Sequence, residues 1–314
     1  MKIGMLTDSL SDLGFEAMLD AAADDGIECL EFACGNWSTA PHVRLDPMLE
    51  SAHERREFIA KLRDRRLEIS ALNCSGNPLH PGPEGERQHQ VTVKTLRLAS
   101  LLGVERVVMM SGLPGGPGDA NPNWITTDWP PECQAILRYQ WDEVLIPYWR
   151  ALVGVANDLG IERICLELHG HQAVYNPHTL FRLRDAVGEV VGANYDPSHP
   201  MWMGADPLAA VGALGASIYY VHAKDTRVDP VRAGIDGVLE TRPSSRVGER
   251  TWNYVTLGCG HSEDWWRRFC AALRTVGYDD VLSIEHEDAS MTAREGVRRS
   301  VELLKLVAGR EAGE

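Results

Sequence analysis

Four short stretches in the C-terminal half of the chain each end an apolar, β-branched run on a side chain that can hold a metal or a proton. IERICLELHG (161–170) delivers Glu167, and VGANYDPSHP (191–200) delivers Asp196 with His199 behind it. SIYYVHAKD (217–225) delivers His222, with Lys224 and Asp225 following, and DVLSIEHED (280–288) delivers Glu285. A strand ending on a carboxylate or imidazole is a poor core element, because burying such a group without a partner is costly. One such residue would be a helix cap or a surface charge; four on successive strands argue for a shared site. Three carboxylates and one imidazole suit a hard or borderline divalent ion, such as Mn²⁺, Mg²⁺ or Co²⁺, better than a thiolate zinc centre would. Strand alternation puts Cys165, Glu167 and His169 on one side, Asn194 and Asp196 on one side, and Tyr220, His222 and Lys224 on one side.

The elements that must position these residues alternate strictly. Strand patterns cover Lys2–Thr7, Ile27–Ala33, Leu67–Asn73, Arg106–Met110, Arg163–Leu168, the 191–196 stretch, Ile218–His222 and Val281–Glu285. Helical patterns fall between them, including Phe15–Asp25 stopped by Gly26, Glu54–Arg66, Glu86–Leu102 and about Tyr139–Leu159, where Pro147 should kink or split the helix. Asn176-Pro177 and Asp206-Pro207 start two more. Eight βα units in 314 residues without an interrupting linker predict a single parallel (β/α)₈ barrel domain over 1–314. A doubly wound sheet would show a glycine-rich phosphate turn after its first strand, and TDSLSDLG supplies none. In a barrel the βα loops open on one face, so ligands from strands five to eight converge there. Two long loops, at about 112–138 and 226–259, are expected on that face.

Composition narrows the class. A formal charge of −14 opposes binding to phosphate backbones, so nucleic acid is excluded as a partner. No apolar run approaches the ~20 residues of a membrane span. MKIGMLTD enters a strand pattern at once, without the profile of a secretion signal, and the expected location is cytoplasmic. Seven scattered cysteines without CxxC spacing read as reduced thiols. Of the nine tryptophans, Trp37, Trp124, Trp129, Trp202 and Trp252 fall in or beside mouth-side loops, where indole faces can pack on the C–H faces of a sugar.

The chain resembles the xylose-isomerase-like barrel superfamily, which includes sugar isomerases, ketose 3-epimerases such as D-tagatose 3-epimerase, hydroxypyruvate isomerase, inosose dehydratase and the type IV endonucleases. The resemblance is carried by LELH with Glu167, DPSH with Asp196 and His199, HAKD with His222, SIEHED with Glu285, and the glycine-rich turn LGCGHSEDWW (257–266). In the epimerase branch, the residues matching Glu167 and Glu285 bind metal and also move the proton, and the residue matching His199 contacts substrate oxygens. A basic residue after the strand-seven histidine contacts substrate as well; here Lys224 and Arg227 compete for that role. Trp37 is a candidate substrate wall, and His169 a second candidate base.

The resemblance implies proton abstraction beside a carbonyl, with a metal-stabilised enediolate, by an isomerase or epimerase of a keto sugar or related polyol. The alternative is a lyase that eliminates the aglycone of a 3-oxo-glycoside, as in C-glycoside deglycosidases, or a related dehydratase. On the first reading a homo-oligomer is a possible assembly; on the second a small partner subunit is. Strands three and four end in NCSGN and VMMSG, without the extra metal histidines of the endonuclease branch, so DNA repair is not expected. Lys224, Asp225 and Asp229 imitate only part of a second-metal cluster, so one ion is expected.

Overall fold

The computed structural model describes residues 1–309. Its strands are β1 (Lys2–Leu6), β2 (Cys29–Ala33), β3 (Glu68–Asn73), β4 (Arg106–Met109), β5 (Arg163–Glu167), β6 (Val191–Tyr195), β7 (Ile218–Ala223), β8 (Asp225–Val228), β9 (Trp252–Val255) and β10 (Val281–Ile284). Eight of them close a barrel in the order β1-β10-β7-β6-β5-β4-β3-β2, while β8 and β9 form a separate two-stranded sheet. The registered barrel pairs run parallel, with helices between successive strands, which is the (β/α)₈ architecture expected. β2 and β6 are buried at every residue, as strands covered on both faces must be.

By density of contacts the chain divides into two units. One comprises Met1–Glu31, Ala60–Ser70 and the chain from Tyr195 onward; the other comprises Phe32–Ile59 and Ala71–Asn194. The four boundaries fall within β2, the helix Ala52–Asp64, β3 and the last residue of β6. The first unit packs Tyr195, Tyr220, Trp266 and Phe269, all fully buried, around β1, β7 and β10. The second packs Trp149 against the end of β4, its Nε1 donating to Ser111 O at 2.9 Å.

The local signals at helix ends act as their chemistry requires. Gly26 closes Phe15–Asp25 at φ +83°, a left-handed cap that a side chain would disfavour. Asn176 caps Pro177–Val187 with a reciprocal capping box with Thr179, and Asp206 accepts from Leu208 N and Ala209 N at the start of Pro207–Leu214. The helix expected over 139–159 is a π-helical turn over Tyr139–Leu145 followed by Ile146–Asp158, and it is preceded by a helical piece, Glu132–Arg138, at the end of the expected 112–138 loop. Pro147 has no N–H to donate to the carbonyl four residues back, and the widened turn lies directly before it.

The 226–259 region is more structured than a loop. β8 and β9 pair antiparallel, Arg227 opposite Asn253, and the helix Pro230–Asp236 begins between them with Asp229 as its cap. A short helix, Ser198–Met203, also follows Asp196 directly, and its Trp202 stacks on Trp252 of β9 at 4.8 Å and 6°. Among the described residues no helix is long and apolar enough to cross a membrane.

Candidate metal centre

His222 is the best-defined member of the site. It ends the inward face of β7 and is fully buried. Its Nε2 lies 3.1 and 3.0 Å from the two carboxylate oxygens of Glu31 on β2, and Glu31 Oε2 accepts a second bond, at 2.7 Å, from Ser283 Oγ on β10. A carboxylate only accepts here, so Nε2 carries a proton, and Nδ1 is the nitrogen left to face an ion once its own proton is released. That Nδ1 lies 2.9 Å from Glu285 Oε2. The Glu285 oxygen nevertheless makes no hydrogen bond, because the pair lacks the angles for one. Two ligand atoms side by side, each aimed past the other, suit convergence on a third centre.

Asp196 supplies a similar atom. Its Oδ1 accepts from Ser198 N at 2.7 Å, while its buried Oδ2 makes no hydrogen bond and lies 3.2 Å from His199 Nε2. Glu167 ends β5 in register with Asn194, two residues before Asp196 on the neighbouring strand. Within the first unit, one ligand atom each from Asp196, His222 and Glu285 lies within 4.8 Å of the other two. Buried oxygens left unsatisfied are rare and costly, and a hard divalent cation is what this donor set would satisfy. That unit thus brings together three of the four residues expected from the sequence, and Glu167 ends β5 in the second.

The charges around them are tightly coupled. Burial works against protonation of His222, yet the carboxylates of Glu31 and Glu285 outweigh it and hold the imidazole pKa well above its usual value. Burial would raise Glu285, but Lys224 and His222 hold it well below the carboxylate range. Asp196 is held down in the same way, burial being overcome by His199 and Lys224. Lys224 resists the deprotonation that burial favours because Glu285, Glu287, Tyr254 and Asp196 surround it. Its Nζ lies 3.2 Å from Glu285 Oε1, 2.9 Å from Glu287 Oε2 and 4.2 Å from the centre of the Tyr254 ring.

The remaining candidates separate clearly. Lys224 is inside the cluster, whereas Arg227 is exposed on β8. His199 is fully buried, its Nδ1 3.0 Å from Tyr254 Oη. β5 ends at Glu167, so strand alternation does not reach His169; a turn places it, with His169 N donating to Glu167 O at 3.0 Å. Even so, within the second unit a ligand atom of His169 lies within 4.8 Å of one of Glu167. Trp37 is half exposed, with its ring 6.5 Å from that of His169. Asp225 faces away from the cluster. Its Oδ2 accepts from Gly258 N, Gly260 N and His261 N at 3.1, 3.1 and 3.0 Å, and so organises the glycine-rich turn. Glu31 and Tyr254 were not anticipated. Glu31 lies inside the strand CLEFA, where the only signal was one acid in an otherwise apolar run.

Comparison with known proteins identifies the family and the fold. The family described as xylose isomerase-like TIM barrel matches residues 19–307. The uncharacterized protein YfiH of Bacillus subtilis (strain 168) is 50% identical over 308 residues, 97% of this chain and 98% of that protein. A probable 3-DHS dehydratase, AsbF of Bacillus anthracis, superposes with a TM-score of 0.67 at 19% identity, covering 99% of this chain and 100% of the other. A D-tagatose 3-epimerase-like protein superposes at 0.63 with 21% identity, covering 98% of both chains. At these identities the two structures share the fold.

Proposed function

Since the chain belongs to the xylose isomerase-like TIM barrel family, matched over residues 19–307, we propose that it is a divalent-metal-dependent isomerase or epimerase of a keto sugar or related polyol. The observation that carries this reading is the donor set: Asp196 Oδ2 and Glu285 Oε2 are buried without hydrogen bonds beside His222, whose far nitrogen is tied to Glu31. Glu167, Asp196, His222 and Glu285 would hold one ion, for which Mn²⁺ is our first choice. When bound, such an ion stabilises the negative charge that develops on a substrate carbonyl oxygen.

The chain's own groups account for the proton. Glu285 is held ionised by Lys224 and His222, so it is ready to accept a proton but is a weak base. Turnover then depends on acidifying the substrate carbon rather than on the strength of the carboxylate. Glu167 and Glu285, from β5 and the end of β10, serve as the two proton carriers that inversion of a planar enediolate requires. His199, positioned by Tyr254, and Lys224 contact substrate oxygens, and Trp37 walls the substrate. An acidic surface and the absence of basic grooves in the sequence accord with a small carbohydrate as the partner.

A second reading, elimination from a 3-oxo-glycoside, is favoured by one detail at His169. Its Nδ1 is bonded to the carbonyl oxygen of Gly170, which puts the proton there and leaves Nε2 as the basic nitrogen. That nitrogen, two residues along the chain from Glu167, would serve as a single base. Exchange of a substrate C–H proton with solvent, followed over a panel of ketoses and 3-oxo-glycosides, tests both. For an epimerase, Glu285→Gln lowers turnover by ~10²–10⁴-fold with binding retained, and His169→Ala is mild. For a lyase, His169→Ala abolishes release of the aglycone while the metal stays bound. Metal content is measured in each variant, and harmlessness of both substitutions in loaded protein rules out both mechanisms.

A further inference from the structure

A pocket of about 210 Å³ lies wholly within the second contact unit, among the segment after β4, the π-helical turn and the helix Pro177–Val187. Gln172 lines it and is only 1% exposed, yet neither its Oε1 nor its Nε2 has a hydrogen-bond partner. Because both amide atoms are unpartnered, the result does not depend on which way the amide is turned. Trp124 also lines the pocket, and its buried Nε1–H is likewise unpartnered. Native proteins leave few such groups unsatisfied, and here two neighbouring side chains present donors and an acceptor to one small space.

The backbone is shaped to put them there. His171 adopts φ +62°, a left-handed conformation that a residue with a side chain disfavours. With His171 in that conformation, its own side chain is outside and Gln172 is buried. Ala173 N donates to Gly112 O and Val174 N to Ser111 Oγ, so the segment is pinned immediately afterwards. The walls are aromatic: Trp124 meets Tyr175 edge to face at 5.4 Å, and Trp141 lies under the Arg182 guanidinium at 4.1 Å. Arg182 has Asp142 at 3.4 Å, so its charge is met within the protein.

We propose that this pocket binds one neutral sugar ring, with adjacent hydroxyls bonded to the Gln172 amide and the Trp124 indole N–H and a C–H face against the aromatic wall. A hydroxyl both donates and accepts, which matches an amide that offers both, and a ring C–H face packs on an aromatic one. The volume is below the ~300–1,000 Å³ of drug-sized sites, which fits a single ring and not an oligosaccharide. Gln172 follows Glu167 by five residues in the same loop. The ring is therefore read as part of a glycoside substrate, and that assignment rests on the second reading above, elimination from a 3-oxo-glycoside.

The test uses the metal-loaded full chain, with the methyl glycosides of glucose, galactose and xylose as probes and saturation-transfer NMR and tryptophan fluorescence as readouts. At least one glycoside is expected to bind metal-loaded and chelated wild type with equal affinity, and at least tenfold more weakly to both Gln172→Leu and Trp124→Phe. Gln172→Leu keeps the volume and removes the amide, and Trp124→Phe keeps an aromatic face and removes the N–H; unchanged circular dichroism shows that both fold. Binding that survives Gln172→Leu overturns the proposal, as does binding of indole with no binding of any glycoside. Binding lost on chelation of the metal places the ring at the metal cluster instead and also overturns it. None of these readouts needs turnover, so failure of the reaction assay and failure of the pocket are told apart.

Discussion

Replacing Glu31 by glutamine changes one oxygen to nitrogen at a point that touches no expected ligand atom of the metal. The wild-type carboxylate accepts from His222 Nε2 at 3.1 and 3.0 Å and from Ser283 Oγ at 2.7 Å. A glutamine carbonyl at the Oε2 position keeps the serine bond and one histidine contact. Its amide nitrogen then stands where Oε1 was, donor against donor with Nε2–H. The imidazole relieves this by moving its proton to Nδ1, the nitrogen whose lone pair the ion needs, and the negative charge that made the ring a better donor is also gone. Loss of such an outer partner costs ~10–100-fold in metal affinity, or ~1.4–2.8 kcal/mol. Calorimetric titration with Mn²⁺ reads the affinity, and activity titrated against metal should recover at saturating ion. Ser283→Ala, which leaves both histidine contacts in place, should cost less, about 1 kcal/mol. Metal affinity within twofold of wild type in Glu31→Gln would refute the tautomer argument, and with it the assignment of Nδ1 as the ligand atom.

Four further outcomes follow from the structure. His222→Ala should abolish tight binding of a divalent ion and all turnover, and chelation of wild type should do the same reversibly; full activity in chelated protein refutes the metal centre. In metal-free protein the raised pKa of His222 stabilises the fold fully below the unfolded value of about 6.5, and this contribution is lost as pH rises through the folded value. Bound metal excludes that proton, so at pH 7 binding should release close to one proton, measured by calorimetry in buffers of different ionisation enthalpy. Asp225→Ala should destabilise the protein by about 3 kcal/mol in urea denaturation, because three backbone N–H groups of the glycine-rich turn lose a buried charged acceptor. Gly260→Ala should destabilise the same turn, since a Cβ there would stand 2.4 Å from Thr226 O.

The barrel and the strand-end positions of the four candidate ligands were legible because the signals behind them are local. A β-branched run that stops on Glu167, Asp196, His222 or Glu285 announces a strand and its last inward residue at once, and period-two alternation then assigns the face. Pro147 announced a break in its helix for an equally local reason, the missing N–H. Alternation also separated Lys224 from Asp225, one inside the cluster and one tied to the glycine-rich turn, although only the hydrogen bonds of Asp225 revealed its partner.

What tertiary structure decided is which distant groups meet. Glu31 and His222 are 191 residues apart, and no pattern within CLEFA distinguishes an acid that orients an imidazole from one that caps a helix. Closure of β2, β1, β10 and β7 in that order carries the two side chains to one point. The choice between Lys224 and Arg227 likewise waited on pairing: once β8 and β9 form a ribbon, Arg227 lies opposite Asn253 and exposed, while Lys224, just before it, turns inward. Tyr254 reaches His199 only through the same ribbon. Local sequence determines backbone conformation and the direction of a side chain; which charges share a buried space depends on register and closure, and these are set by the whole chain at once.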